Sequence, residues 1–543
     1  MVPPAARTVP GATPVAWCGM SVSPDSGIAA PRRWLVWLAL LPVVPPLLLG
    51  GAVGLRQWRS LPRVVQALVG VFVGTQLLAA LLSPGPLLAL GTTVLRMTLL
   101  VGLLCLGSRL GEPATLRALR WGLLVVYVTA LINGLALQGW DLTQLRLSHP
   151  YVTPVSLGLA GALGLWLALD RQPGESWRQG LPWRLMLGGL GVLTALLSGS
   201  RGPLAVALLG TALLLGWRTL RRQHLLGAAL LGTVALGALL LGSSAEQRPL
   251  ERLVTLDLTG RDLIWDDALS VARAQPWAGN GTLLLGPRIA PPGESCTWFE
   301  ALEVRGVGCP AAVEQVNNTW VIAHNGLVQA LGETGLLGTA GLFLLLGAVL
   351  AAASASPPLI LTLVAALLLG DLTDNVTLVP GPFFSAVFWV AAGGALTRHP
   401  PRWPAAAGWG AALLLLMAFP VWTHFLPSTP HRQISLSGLI SPTSWRADEP
   451  YAAAAQFNVP PGLYRAQLRA CRQSCVTVAV RPFSSTGQRG TWQWLLGPLP
   501  SSRQVGGVDG QPYELQLRLW PGRSAPWRTR ALSRTSWKVM VKP

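Results

Sequence analysis

Charged side chains are scarce in this chain of 543 residues. Only 12% of the residues are Asp, Glu, Lys or Arg, whereas 51% are hydrophobic, and the mean hydropathy is +0.47. An average soluble domain carries about twice that share of charge, so the composition excludes one. It predicts a mainly α-helical polytopic membrane protein, because a chain in hydrocarbon must satisfy its backbone hydrogen bonds within helices.

Several other signals are missing from the sequence. No nucleic-acid module accompanies the net charge of +19, and we expect the basic surplus to set topology and meet anionic lipid instead. No Asp-x-Asp pair or cluster of exported carboxylates offers a metal site, so we expect neither a metal nor another cofactor. Residues 1–33 lack a signal-peptide pattern and are predicted to form a disordered tail. No internal repeat has a clear period, which disfavours a transporter.

Long apolar runs predict about twelve membrane spans within residues 34–426. The candidate spans lie at 34–55, 64–82, 87–107, 118–138, 152–169, 184–199, 203–217, 225–242, 336–353, 358–370, 383–396 and 405–426. Arginines in the short loops favour the cytoplasmic side. Alternation then places the segment 243–326 and the chain after residue 427 outside the cytoplasmic membrane. The same count places the N-terminus outside, against the preference of Arg32 and Arg33.

Residues 427–543 have a different pattern, with short alternating stretches bounded by Gly, Pro and Ser. This period of two predicts the strands of a small exported β-sandwich-like domain. Its cysteines at 471 and 475, and those at 296 and 309 in the long loop, favour two disulfides. A metal half-site at 471–475 is the less favoured alternative, because no second Cys/His cluster lies near it.

Three motifs carry ionisable residues beside apolar runs. The first is SGSRGP at 198–203, which contains Arg201 at the start of a span. The second is TGRDLIWDDALSVARAQP at 259–276, whose apolar spacing predicts an amphipathic helix on the membrane surface, followed by a turn WAGNG. The third is HNGLVQALGETGLLG, which begins at His324 and precedes a span. Ionisable residues at membrane depth tend to be functional.

These three motifs in this order resemble the O-antigen ligase and O-antigen polymerase family, in detail over about 190–350. The resemblance implies a glycosyltransferase of the C-type class, metal-independent and inverting. Such an enzyme moves a glycan from undecaprenyl diphosphate to an acceptor hydroxyl on the outer face of the membrane. The acceptor is a glycan, a lipid-linked repeat or a protein side chain. The predicted C-terminal domain is not part of the family's common pattern.

The residue types fit that chemistry. The guanidinium groups of Arg201 and Arg261 are candidates to bind the donor diphosphate, because arginine meets phosphate oxygens in pairs and keeps its charge. His324 is the candidate base for the acceptor hydroxyl, since histidine exchanges protons near neutral pH. Asn325 is expected to orient it, and Glu333 to act as a weaker supporting contact.

Each residue also has a structural interpretation. Arg201 could extend to the membrane interface from a helix end, His324 could be an interfacial residue, and Arg261 could pair with Asp262 or Asp266. Arg96 could contact lipid phosphate or form an intramembrane pair without a clear partner. The remaining polar candidates are expected to be ordinary loop residues or glycan contacts: His149, Asp371, Asp374 and Asn375.

Two other functions stay open. A lipid-linked-sugar transporter or flippase would share the many spans and the arginines, but not a long exported loop that carries both His and Arg. A surface-anchored binding protein would use the C-terminal domain and need far fewer spans.

Overall fold

The computed structural model describes most of the chain, in fifteen stretches of residues. They are 29–138, 147, 149–170, 177–217, 261–290, 321–372, 374–378, 383–418, 421, 435–440, 444–446, 451–485, 490–496, 512–521 and 533–542. The predicted span at 225–242 and the cysteine pair at 296 and 309 lie outside these residues, as do residues 1–28.

Helices make up most of the described chain. They are α1 (Ala29–Leu40), a 3-10 helix (Pro45–Ser60), α2 (Arg63–Leu81), α3 (Pro86–Gln138), α4 (Pro154–Leu169), α5 (Trp177–Leu197), α6 (Arg201–Trp217), α7 (Arg261–Ala274), α8 (Gly286–Ile289), α9 (Gly326–Ser354), α10 (Pro358–Gly370), α11 (Phe384–Arg398) and α12 (Trp403–Met417). This confirms the prediction of a mainly helical protein.

Four helical segments among the described residues are long and apolar enough to cross a membrane. They are Arg63–Leu81, Pro86–Leu110, Ala114–Ala136 and Gly326–Ser354. Shorter apolar helices accompany them, including Pro154–Leu169 and Pro358–Gly370. The chain is therefore a membrane protein, and the predicted number of spans stays a prediction.

The first predicted span is divided in two. Helix α1 begins at Ala29, inside the predicted tail, and ends at Leu40, after which a turn leads to the 3-10 helix that begins at Pro45. Prolines at positions 42, 45 and 46 explain the break, because proline lacks the N–H that a continuous helix needs.

Glycine lets the helices pack closely. A Cβ on Gly393 of α11 would overlap the Leu104 carbonyl of α3, and one on Gly347 of α9 would overlap the Ala406 carbonyl near the start of α12. Helix association in a membrane relies on such close packing, because lipid is as apolar as the helix surfaces. Glycine therefore allows these two helix pairs to pack closely.

The C-terminal region, called here the β domain (residues 435–542), contains eight strands among the residues that the structure describes there. They are β1 (Ser435–Ile440), β2 (Ser444–Arg446), β3 (Tyr451–Asn458), β4 (Gly462–Cys471), β5 (Cys475–Ser485), β6 (Gly490–Leu496), β7 (Tyr513–Pro521) and β8 (Ser533–Lys542). They form a three-stranded sheet, β1-β3-β6, and a five-stranded sheet, β2-β8-β7-β4-β5. Pairing is antiparallel except between β2 and β8.

The alternating stretches predicted as strands correspond to β4, β5, β6 and β7. Cys471 at the end of β4 forms a disulfide with Cys475 at the start of β5, so the predicted stapled loop is present. The predicted loop helix is α7. Its apolar face packs against α8 and α9, while its polar face is covered by the five-stranded sheet.

Candidate active site

Two of the sequence motifs interlock through their backbones. The turn that follows α7 donates hydrogen bonds from the N–H groups of Asn280 and Gly281 to the carbonyls of Gly332 and Glu333, at 3.0 and 2.8 Å. In return, the N–H groups of Leu336 and Leu337 donate to the carbonyls of residues 276 and 277, at 2.8 and 3.1 Å. The turn thus occupies a break in α9 and satisfies the backbone groups that the break exposes.

Glycine is required on both sides of this contact. Gly335 in α9 and Gly279 in the turn have φ of 58° and 66°, a region that other residues adopt at a cost. A Cβ on Gly279 would overlap Glu333, and one on Gly335 would overlap Trp277. The spacing of glycines in WAGNG and GETG therefore reflects a backbone contact between the loop and the membrane helix.

Glu333 is buried just before this break and is held by three different segments. It forms an ion pair with Arg96 of α3, and its Oε1 accepts hydrogen bonds from Gln329 Nε2 at 2.7 Å and from the Leu283 N–H at 3.1 Å. No partner for Arg96 could be predicted from the sequence, and the structure shows that its partner is Glu333. The pair fixes the loop after α7 to both α3 and α9.

His324 lies directly before α9 and is accessible. Its side chain is 30% exposed, and Nδ1 lies 3.4 Å from Oδ1 of the buried Asp374, an ion-pair distance rather than a hydrogen bond. Its backbone is left-handed, with φ of 52°. Histidine tolerates this region better than most residues, but the conformation is strained, and strain of this kind is concentrated at functional sites.

Asn325 joins His324 to its surroundings. Its side-chain oxygen accepts a hydrogen bond from the Val328 N–H at 3.0 Å and caps α9. Its Nδ2 donates to the carbonyls of Leu372, at 3.1 Å, and Met417, at 3.3 Å. Asn325 thus connects the start of α9 to the ends of α10 and α12.

The turn after α10 is buried rather than solvated. Asp371, Asp374 and Asn375 are each less than 5% exposed. The carboxylate of Asp371 accepts hydrogen bonds from the N–H groups of Val376 and Thr377, at 2.6 and 3.0 Å, and burial raises its pKa to about 7. The interpretation of these residues as an ordinary polar turn is therefore wrong.

A further loop connects this turn with the start of α6. Thr153 donates from Oγ1 to Asp374 Oδ2 at 3.2 Å, and the Leu147 N–H donates to the carbonyl of Leu197, four residues before Arg201, at 3.1 Å. The same loop carries His149, whose pKa is lowered to about 4 by burial. The residue that precedes the SGSRGP motif and the turn beside His324 thus contact the same loop.

The structure gives less detail for Arg201 and Arg261, the two candidate diphosphate ligands. Arg201 is the first residue of α6, and its side chain lies outside the described residues. Arg261 is the first residue of α7 and is partly exposed. The proposed pairing of Arg261 with Asp266 competes with two other arginines, because Asp266 pairs with Arg469 and Arg518 of the β domain.

The sequence leaves Asp374 as either a loop residue or a glycan contact, whereas the structure places it beside His324. This contact depends on how the turn after α10 packs against the start of α9, and no local pattern in the sequence displays it.

Together the apolar helices and this polar site, built at one end of them, define a polytopic membrane protein. Residues 186–343 match the family model described as O-antigen ligase, and Arg201, Arg261 and His324 all lie within the match. This confirms the resemblance to the O-antigen ligase and polymerase family over the matched segment. A comparison with curated proteins found no match.

Proposed function

We propose that the protein transfers a glycan from an undecaprenyl-diphosphate donor to an acceptor hydroxyl at the outer face of the cytoplasmic membrane. The observation that carries the proposal is the pairing of an accessible histidine with a buried carboxylate, His324 with Asp374, inside the segment that matches the family. The long loop and the β domain are then exported.

His324 acts as the base in this proposal. The acceptor O–H loses its proton to the imidazole, and the acceptor oxygen attacks the anomeric carbon. The bond from that carbon to the diphosphate oxygen breaks, and attack from the opposite face inverts the anomeric configuration. Because Asp374 lies on the Nδ1 side, its carboxylate stabilises the imidazolium that forms when Nε2 takes the proton.

The donor diphosphate is bound by Arg201 and Arg261. Negative charge grows on the diphosphate as it leaves, and guanidinium groups that contact it stabilise the transition state more than the bound substrate. Both arginines begin helices, at α6 and α7. No metal ion is needed in this scheme, because the arginines supply the positive charge.

Asn325 and Glu333 hold the backbone segments that surround the site. Asn325 fixes the backbone on which His324 sits, through the ends of three helices. Glu333 fixes the loop after α7 through Leu283 and Arg96. We therefore assign both residues to positioning rather than to contact with the reacting atoms.

The experiment measures glycan transfer in membranes that contain a pool of the undecaprenyl-diphosphate glycan. His324→Ala, Arg201→Ala and Arg261→Ala are compared with wild type at equal protein level, with the surface polymer and the lipid-linked donor both quantified. We expect polymer to fall by about 100-fold or more for His324→Ala, while donor accumulates on the outer leaflet. His399→Ala, at the end of α11, is the matched control.

The outcomes separate the alternatives. Unchanged polymer in the His324 variant would refute the assignment of the base. Donor trapped on the inner leaflet would favour a flippase. Glycan found on a serine or threonine side chain would identify a protein O-oligosaccharyltransferase, whose acceptor differs but whose chemistry at His324 is the same.

A further inference from the structure

The polar face of α7 is buried against the β domain through charged residues. Arg469 of β4 places Nη1 2.6 Å from Asp266 Oδ2 and Nη2 2.6 Å from Asp267 Oδ1. Arg518 of β7 also pairs with Asp266. We call Asp266, Asp267, Arg469 and Arg518 the docking cluster. Arg469 is 1% exposed and both aspartates are below 5%, whereas the Arg518 side chain is 15% exposed, so the cluster is largely shielded from water.

Strand β5 adds neutral contacts beside this cluster. The Thr477 N–H donates to Asp267 Oδ2 at 3.0 Å, and the Cys475 N–H donates to Ser270 Oγ at 3.1 Å. Ser270 Oγ also lies 3.2 Å from the Cys475 carbonyl, to which it can donate. The disulfide from Cys471 to Cys475 closes the hairpin that carries these groups, so the docking edge is covalently stapled.

The opposite face of α7 leads to the candidate active site. Trp265 and Leu269 pack in one apolar cluster with Ala323 and Val328, on either side of His324. Helix α7 is therefore held between the β domain and the start of α9. Its first residue, Arg261, is the proposed phosphate contact.

The docking cluster favours one arrangement of these elements. Two carboxylates and two guanidinium groups are costly to bury, and the cost is offset only when the pairs meet in good geometry. Displacement of α7 by a small distance would leave charges buried and unpaired. A purely apolar contact would be less sensitive to position.

We propose that the β domain positions α7, and with it Arg261, for catalysis, and that Arg469 is the central positioning residue. This inference rests on the proposed function, since it assigns Arg261 to the donor diphosphate. It gives the C-terminal domain a role inside the enzyme. Arg469 itself contacts no substrate in this proposal.

The experiment uses the full-length protein in detergent and two readouts. The first is labelling of Ser270→Cys by a maleimide, which reports whether the β domain covers α7 and needs no transfer activity. The second readout is the kinetics of glycan transfer, measured while the concentration of the undecaprenyl-diphosphate glycan or of the acceptor is varied. These kinetic variants retain the natural Ser270. Arg469→Met is compared with Arg469→Lys and with Arg481→Met, an exposed arginine on β5 of the same hairpin.

We expect Arg469→Met to expose position 270 to the label and to lower kcat/KM for the donor by about tenfold to a hundredfold. The KM for the acceptor should not change, and Arg481→Met should resemble wild type. Arg469→Lys should be intermediate, because an ammonium cannot meet both carboxylates as a planar fork does. If Arg469→Met fails to fold, the double variant Asp267→Leu, Arg469→Leu should restore both protection and donor kinetics, since Asp266 keeps Arg518 as its partner and no buried charge is left unpaired.

Three results would overturn the proposal. Labelling that does not change with Arg469→Met would show that Arg469 does not hold α7. Increased labelling with unchanged donor kinetics would show that docking does not position the site. A rise in acceptor KM alone would assign the domain to the acceptor. If wild type transfers no glycan while labelling still rises, the positioning role falls with the proposed function and the docking contact alone stands.

Discussion

Helix α9 carries two acid–base pairs that differ in almost every physical respect. The pair at its start, His324 with Asp374, is open to solvent on the histidine side, has a strained backbone and is separated by 3.4 Å. The pair further along, Glu333 with Arg96, is at most 3% exposed and is completed by Gln329 and the Leu283 N–H. One has an unused nitrogen to offer a substrate, whereas the other has its charges matched internally.

This contrast separates chemistry from architecture within one motif. The sequence HNGLVQALGETGLLG contains both His324 and Glu333, and a family motif alone does not say which residue reacts. Partial exposure and a loosely held partner are what a proton acceptor needs, since it must change charge during the reaction. A matched counter-charge in a dry environment is what a structural pair needs. The following predictions test this division.

Glu333→Gln should have the largest effect on stability. The substitution leaves the Arg96 guanidinium buried without its counter-charge, which costs about 3–5 kcal/mol. We expect much lower protein levels in membranes and a lower thermal unfolding temperature in detergent. Gln473→Glu, a change of similar size at an exposed position between β4 and β5, controls for expression. A Glu333→Gln variant of normal stability and no transfer activity would instead make Glu333 part of the chemistry.

The double variant Arg96→Met, Glu333→Leu should recover most of that loss. It removes both charges, and apolar replacements of a buried ion pair are often neutral or stabilising. We expect an unfolding temperature close to that of wild type, with transfer lowered only through the lost contact to Leu283. The comparison is with the two single variants in the same detergent. A double variant as unstable as Glu333→Gln would show that the pair itself stabilises the fold.

Much of the helical and strand architecture could be predicted from the sequence. Apolar run length located α2, α10 and α11 to within a few residues, and alternation located the strands of the β domain. These elements depend on local periodicity, which the sequence displays directly. The start of α9 was missed by ten residues, because the break at Gly335 interrupts a helix whose first part is polar.

The partners of the site residues could not be predicted in the same way. Glu333 pairs with Arg96 across 237 residues, and Arg469 reaches Asp266 across 203. Such pairs are set by how helices and sheets pack, and no spacing within one segment indicates them. His324 and Arg261 could be proposed as site residues because each stands at the end of an apolar or amphipathic run, whereas Asp374 lies in a polar turn whose burial is visible only in the fold.

Asp374→Asn should have a smaller effect that falls on catalysis alone. The amide keeps an oxygen for the Asn375 N–H, which donates to Oδ1 at 2.9 Å, but loses the charge that would stabilise a protonated His324. We expect transfer to fall by about tenfold to a hundredfold, the range seen when an orienting partner is lost at other sites. Protein level and unfolding temperature should stay near those of wild type. Unchanged transfer would remove Asp374 from the mechanism.

The smallest effect concerns His149, in the loop that joins Asp374 to the SGSRGP motif. Its Nδ1 accepts a hydrogen bond from the Tyr151 N–H at 3.1 Å, and burial lowers its pKa to about 4. Protonation would turn Nδ1 into a donor facing another donor. Because the unfolded chain takes the proton near pH 6.5, the stability that neutral His149 provides is complete above that pH and is lost as pH falls toward 4.

This prediction is checked by the thermal unfolding of wild type and His149→Gln in detergent between pH 7.5 and 4. Wild type should lose more stability than the variant over that window, because glutamine does not titrate, and the two curves should run parallel above pH 7. If both lose the same amount, the loop does not hold a neutral histidine.

Transfer near neutral pH should be the same in both proteins, since His149 is neutral there and the base is His324. A loss of transfer in His149→Gln at pH 7.5 would show that the reactive site includes this loop as well as the His324–Asp374 pair at the start of α9.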